Sequence, residues 1–239
     1  MKLACASGAF DSSLLAGDLT QLEFIDLCAH RLACDGVVLD VRHFPRSDTD
    51  YLAQVKKMAV DRGLTIAALV DASFFASDER RMADVLGYAT ALGAPLISSE
   101  LALETACSWT EQLEKLNAAT SLAKSANVTL ALRNAAGTFA AATRDCKRVA
   151  KEADSAWLRF GPQPHAFGAG DDPRELAGNS VLLWSCANRA SEIDIASTIR
   201  SFPDFRGHVA LDASSATTLD AVRDALHAWR AALASLGLC

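Results

Sequence analysis

Eight short runs of continuous apolar residues, each followed by a longer amphipathic segment, set the tightest limit on what this chain can fold into. The runs begin near Lys2, Gly36, Leu64, Pro95, Val128, Ala156, Val181 and Gly207, and include GVVLDV, LTIAALV, PLISS, VTLALR and HVALD. None alternates polar with apolar residues, so both faces of each are expected to be buried, as in a parallel sheet covered by helices.

The intervening segments carry helix signals. Thr20-x-x-Glu23 and Ser108-x-x-Glu111 fit capping boxes, and Ser191-x-x-Asp194 and Thr217-x-x-Asp220 are acidic relatives of them. Leu22, Ile25, Ala29 and Leu32 fall on one helical stripe, as do Met82, Val85, Leu86 and Ala89. The stretch from Thr218 to Leu236 is long enough for a closing helix, whereas the unit around Asp172–Ala177 is too short for a full one. Eight strand–helix units in 239 residues match a (β/α)8 TIM barrel of the α/β class, whose usual length is about 250 residues. One domain spanning residues 1–239 is expected, since no Gly/Ser linker, Pro-rich stretch or charge block divides the chain. A doubly wound open sheet is the main alternative; no GxGxxG follows the first strand and no GxxxxGK[ST] occurs.

Composition narrows the partners. The formal net charge is −6, from 23 basic and 29 acidic residues without a basic cluster, a poor footprint for nucleic acid or an anionic membrane. The opening MKLACAS is too short and too polar for a signal peptide, and no apolar run reaches membrane-spanning length. The seven cysteines (5, 28, 34, 107, 146, 186, 239) form no CxxC pair. A reducing cytoplasm, with neither a disulfide framework nor a thiolate metal site, is the expectation.

Barrel active sites sit at the C-terminal ends of the strands. Those ends carry Ser7–Phe10, Asp40-Val-Arg42-His43, Asp71, Ser98-Ser99-Glu100, Arg133-Asn134, Arg159 through Pro162-Gln163-Pro164-His165, Trp184 to Asn188, and Asp212. Strand alternation sends Thr129, Ala131 and Arg133 into the barrel, and likewise Ala210 and Asp212. Asp40, Arg42, Glu100 and Arg159 are placed inward by the same argument. At least three cations and three anions would then crowd the upper barrel, paired with each other or with a ligand. A buried structural ion-pair layer is the plainer alternative to a ligand site.

The segments LTQLEFIDLCAHRLACDGVVLDVRHF, DTDYLAQVKKMAVDRGLTIAAL and VTLALRNAAGTFA resemble the xylose-isomerase-like TIM barrels, the sugar-phosphate isomerases and epimerases grouped with the apurinic-site endonucleases. That resemblance implies a divalent metal held by carboxylates and histidine at the ends of strands five to eight, polarising sugar oxygens. The residues here depart from that set. Arg133-Asn134-Ala135 stands where the family reads Glu-Asn-His, and Pro162-Gln163-Pro164-His165 where it reads Asp-x-x-His. Leu183-Trp184-Ser185-Cys186 lacks the strand-seven histidine, while Asp212 matches the strand-eight Glu and Asp40 the strand-two acid. A guanidinium beside the vacant position would repel a dication by several kcal/mol at intermediate dielectric, so no metal and no other cofactor is expected.

What the resemblance then implies is a metal-free relative binding a sugar or sugar-derived anion, with a homo-oligomer in keeping with the family's habit. Arg133 would replace the ion's charge, its fork suiting a carboxylate or phosphate. His165, Glu100 and Asp40 are the candidate catalytic acids and bases; Arg133, Asn134, Arg159, Asp212, His43, Trp184 and Phe10 are the candidate binding residues. Trp184 and Phe10 would stack on an apolar sugar face. A barrel that binds or assembles without catalysis is the rival expectation. An endonuclease role fits poorly, because only five histidines are present and His30 and His227 fall in predicted helices.

Overall fold

The computed structural model describes residues 1–190, 192–213 and 217–238. Eight strands form: β1 (Lys2–Ala6), β2 (Gly36–Asp40), β3 (Thr65–Val70), β4 (Leu96–Ser99), β5 (Thr129–Leu132), β6 (Leu158–Phe160), β7 (Leu182–Cys186) and β8 (His208–Asp212). Each begins within two residues of its predicted start. All neighbours are parallel, in the order β6-β5-β4-β3-β2-β1-β8-β7. The curled sheet closes between β6 and β7 through a sparse seam, Val181 N–H to Phe160 O and Trp184 N–H to Pro162 O, both 2.9 Å. The architecture is a (β/α)8 TIM barrel.

The helices are α1 (Asp11–Ala16), α2 (Gln21–His30), α3 (Thr49–Asp61), α4 (Glu79–Leu92), α5 (Trp109–Ala126), α6 (Thr143–Ala153), α7 (Ile195–Ser201) and α8 (Leu219–Ser235). Their starts follow the capping chemistry. Thr20 and Ser108 each accept from the third helical N–H while Glu23 and Glu111 reach back to the cap. Asp194 caps α7; Ser191, which the sequence pattern proposed to open that helix, lies outside the described residues. The last helix is capped one residue later than expected, by Thr218 rather than Thr217. The buried stripe of α2 is also turned, running through Gln21, Phe24, Ile25, Cys28 and Leu32, with Leu22 and Ala29 at its margin. Met82, Val85, Leu86 and Ala89 of α4 are buried as predicted. The unit after β6 ends in a 3-10 turn, Pro173–Asn179.

Two packed shells follow from strand alternation. Leu130, Leu132, Val209 and Leu211 face the helices. Inside the barrel lie Ala4, Ala6, Val38, Ala68, Ala131 and Ala210, with Leu182 and Trp184 as the large side chains. Burying one such leucine contributes about 2 kcal/mol. The alanines leave little bulk on the axis, so the upper barrel is filled by Trp184 and, above it, by charged side chains around an open cavity. Among the described residues no helix is long and apolar enough to cross a membrane.

Candidate functional site

The cavity, about 420 Å³, opens at the C-terminal ends of the strands and is lined by Phe10, Asp11, Asp40, Arg42, Arg133, Trp184, Asp212 and Thr217, with smaller residues between them. Its two walls are built differently.

The β5–β6 wall is organised around Arg133, which follows β5 and points inward as alternation requires. Its guanidinium lies 4.3 Å over the Trp184 ring, whose indole N–H reaches Ser98 Oγ at 3.3 Å. Nε and Nη2 donate to Gln163 Oε1 at 3.1 and 2.9 Å, and Nη1 to Asp212 Oδ2 at 3.4 Å. Glu100 Oε1 stands 3.6 Å from Nε. Because Gln163 spends its oxygen on Arg133, its amide nitrogen faces His165 Nε2 at 2.8 Å. An amide nitrogen only donates, so His165 accepts through Nε2 and is held neutral. Burial, with the charges of Arg189 and Arg133, carries its pKa down to about 4. Asn134, 2% exposed, is turned away from the cavity and clamps the Gln163 backbone, accepting from its N–H at 2.7 Å and donating to its carbonyl at 3.3 Å.

The β1–β2 wall is organised around the 3-10 turns Ser7–Phe10 and Val41–His43. Asp40 accepts from Arg42 three times: the backbone N–H at 2.9 Å, Nε at 3.0 Å and Nη2 at 2.7 Å. Arg42 Nη2 also reaches Asp11 Oδ1 at 3.0 Å. His43, a candidate binding residue, is buried. Its Nδ1 meets Ser7 Oγ and its Nε2 meets Asp11 Oδ1, both at 2.8 Å. Between the walls, Asp212 ends β8 and accepts from the Ala213 N–H at 2.9 Å. Gly8 packs so close that a Cβ there would come within 2.5 Å of Asp212 Oδ1.

The electrostatics follow from this packing. Burial pushes the carboxyls of Asp212 and Glu100 up, and the Arg133 guanidinium only partly offsets it. The hydrogen bonds that Arg42 donates to Asp40 raise its pKa and hold it protonated.

Of the residues singled out from sequence, the structure brings Phe10, Asp40, Arg133, Trp184 and Asp212 to the cavity. Glu100, His165, His43 and Asn134 stand behind them, reaching the cavity residues through Arg133, Gln163 or Asp11. Arg159 is elsewhere: its Nη1 binds Asn179 Oδ1 at 3.2 Å beside a shallow depression on the β6 flank. The mouth therefore holds two guanidiniums, not three. Trp184 also differs from expectation, since Arg133 occupies one face of the ring that was to stack on a sugar. Asp71, at the end of β3, is tied to Arg81 at 2.9 Å and to Ser73, an ion pair outside the cavity. Ser7, Gly8 and Gln163 stood among the strand-end residues without a role, and Asp11 was not singled out; its only signal was its place after Phe10.

The divalent metal implied by the resemblance does not fit these donors. Where its ligand is expected, Arg133 presents a cation within 3.4 Å of Asp212, the carboxylate that would share the ion. Among the described residues no group of three or more His, Cys, Asp or Glu side chains is arranged to hold a metal.

No family model matches this chain, and no curated protein matches it. Solved structures do. D-psicose 3-epimerase from Clostridium cellulolyticum H10 superposes with a TM-score of 0.75 at 13% identity, over 98% of both chains. A 3-keto-D-glucoside 4-epimerase from E. coli gives 0.75 at 13%, over 97% of this chain and 99% of that one. A xylose isomerase-like TIM barrel/4-hydroxyphenylpyruvate dioxygenase fusion protein gives 0.76 at 16%, with all of this chain spanning 45% of the fusion. Likeness at such identity shows the fold alone: this chain is a (β/α)8 TIM barrel similar in architecture to these proteins.

Proposed function

We propose that this barrel is a sugar isomerase- or epimerase-type enzyme that binds a sugar or a sugar-derived anion in the cavity above Trp184 and works without a divalent ion. The observation that carries the reading is Arg133: a fixed cation in the metal ligand's place, anchored on Trp184 and aimed into the cavity. There it would donate to a carbonyl, enolate or carboxylate oxygen, supplying the positive charge an ion would otherwise bring. Two of the similar structures are a D-psicose 3-epimerase and a 3-keto-D-glucoside 4-epimerase, which supports the substrate class. The cavity lining holds Asp11, Asp40 and Asp212 against Arg42 and Arg133. That balance favours a neutral sugar or a singly charged sugar acid over a phosphate dianion. Asp212, on the cavity lining and pushed up by burial, suits donation of a proton beside Arg133.

A second reading, a barrel that binds such a ligand without turning it over, is favoured by one observation: the Nε, Nη1 and Nη2 donors of Arg133 already meet Gln163 or Asp212. Thermal unfolding with D-tagatose, D-fructose, gluconate and glucose 6-phosphate, with and without chelator, tests the binding common to both. A ligand at 100 times its Kd stabilises by about 2.7 kcal/mol. A shift that chelator leaves intact and Arg133→Ala abolishes supports the proposal. A shift that needs added Mn²⁺, or survives Arg133→Ala, refutes it.

A further inference from the structure

We propose that Asp11 is the catalytic base of the cavity, and that Ser7 and His43 are the positioning residues that aim it. The inference deepens the sugar-directed reading above and rests on it.

The hydrogen bonds settle their own direction. Asp11 Oδ1 is a carboxylate oxygen that only accepts, so His43 Nε2 carries the ring proton and donates to it at 2.8 Å. In the neutral ring Nδ1 then accepts from the Ser7 hydroxyl at 2.8 Å, while Ser7 Oγ accepts from the Asp40 N–H at 2.9 Å. The His43 side chain is fully buried and Ser7 is buried beside it, so the tautomer is locked by packing as well as by partners. Arg42 Nη2 donates to the same Asp11 oxygen at 3.0 Å. Among the described residues no hydrogen bond reaches Asp11 Oδ2. The Asp11 side chain lines the cavity and is 39% exposed. One oxygen of this carboxylate is thus clamped by two donors, and the other is left for whatever occupies the cavity.

The other candidate bases are not so placed. Asp40 has both oxygens on Arg42. His165 gives its Nε2 lone pair to Gln163. Glu100 stands behind Arg133 rather than on the cavity lining. Thr217, after β8 on the same lining, has a buried hydroxyl oxygen with no partner among the described residues. With a ketose or a keto-sugar bound, Asp11 Oδ2 takes the proton from the carbon next to the carbonyl. The C–H electron pair becomes the enolate, its negative oxygen faces Arg133, and Asp11 returns the proton to the former carbonyl carbon on the same face while the proton of the neighbouring hydroxyl passes to the enolate oxygen, which completes isomerisation. No oxidant or reductant is consumed.

The test is wash-in of deuterium at carbon-bound positions of D-fructose and D-tagatose in D₂O, followed by proton NMR. The wild-type protein should exchange a C–H next to the carbonyl, and Asp11→Asn, with unfolding temperature retained, should slow this by about a hundredfold or more. His43→Leu, which fills the space without the donor, should lower kcat by roughly tenfold and leave KM unchanged. His43→Gln, which restores an N–H of similar reach, should recover most of that loss. Exchange by Asp11→Asn at the wild-type rate would overturn the assignment while leaving the sugar-directed reading in place. A wild-type protein inert toward every C–H of both sugars would overturn both. Equal loss in His43→Leu and His43→Gln would remove His43 from the positioning role.

Discussion

The two walls of the cavity use similar residues to opposite ends. On the β5–β6 side, Arg133 and His165 are committed inward: Gln163 ties them together, and Asp212, Glu100 and Trp184 take up the rest of the guanidinium. On the β1–β2 side, a comparable set, Arg42, His43 and Asp40, converges on Asp11 and leaves one of its oxygens unengaged. The first wall is a finished network that presents a charge; the second is a network with an open end. The lesson is that a perturbed or charged residue at a strand end does not by itself mark the reactive group. The accounting of its donors and acceptors does.

The largest effect separating the walls should come from Arg133→Met. Asp212 and Glu100 would lose the cation that offsets their burial, and removing one partner of a buried pair costs about 3 kcal/mol. The sign with pH is fixed by the direction of their shifts. Both carboxyls titrate above their ordinary values in the fold, so the folded state holds their protons more tightly and these groups oppose folding increasingly as pH rises through the folded pKa. Without Arg133 that penalty grows, so the variant's deficit should be greatest at pH 8 and shrink as pH falls and the carboxyls protonate. Urea unfolding at pH 8 and near the ordinary carboxyl pKa, about 4, measures it. A deficit that is constant with pH would mean that the guanidinium acts by packing on Trp184 alone.

A smaller effect probes the contact where the walls meet. Gly8→Ala would put a Cβ within 2.5 Å of Asp212 Oδ1, and Asp212 has little room, with its other oxygen on Arg133 and its own turn closed on Ala213. Overpacking of this kind costs about 1–3 kcal/mol. Combining it with Asp212→Ala, which deletes the clashing oxygens, should make the two changes clearly non-additive. Additivity would show that Gly8 is not what holds Asp212 in line with Arg133.

The barrel was legible because a parallel strand buried on both faces leaves an unbroken apolar run, and eight such runs leave few other solutions. The same alternation placed Arg133 and Asp212 correctly, since a period of two holds one residue past the end of β5 and to the last residue of β8. It failed for Arg159. Strand β6 is three residues long and its outer edge meets β7 only at the sparse seam, so the side chain reaches past the seam to Asn179. Asp11, Ser7 and Gln163 lie in or beside 3-10 turns, where no period predicts direction. His43 illustrates the same limit: the sequence places it after β2, but only the turn buries it against Ser7.

The smallest effect concerns His165, and it tests whether the β5–β6 network is as closed as its geometry states. With a folded pKa of about 4 against an ordinary 6.5, the folded state binds fewer protons than the unfolded chain between those values. The contribution is therefore fully present above pH 6.5 and is lost as pH falls toward 4. Solvent still reaches the ring, so it is worth on the order of 1 kcal/mol rather than the full linkage value. His165→Gln keeps a side-chain oxygen to accept from the Gln163 amide but cannot take up a proton. The difference in unfolding free energy between wild type and variant, followed from pH 7 to pH 4.5, should fall by about that amount, with the background carboxylates cancelling. A flat difference would mean that His165 protonates freely in the folded protein. The Gln163 amide would then be bound to water rather than to the imidazole, and the wall that presents Arg133 would be as open-ended as the one that presents Asp11.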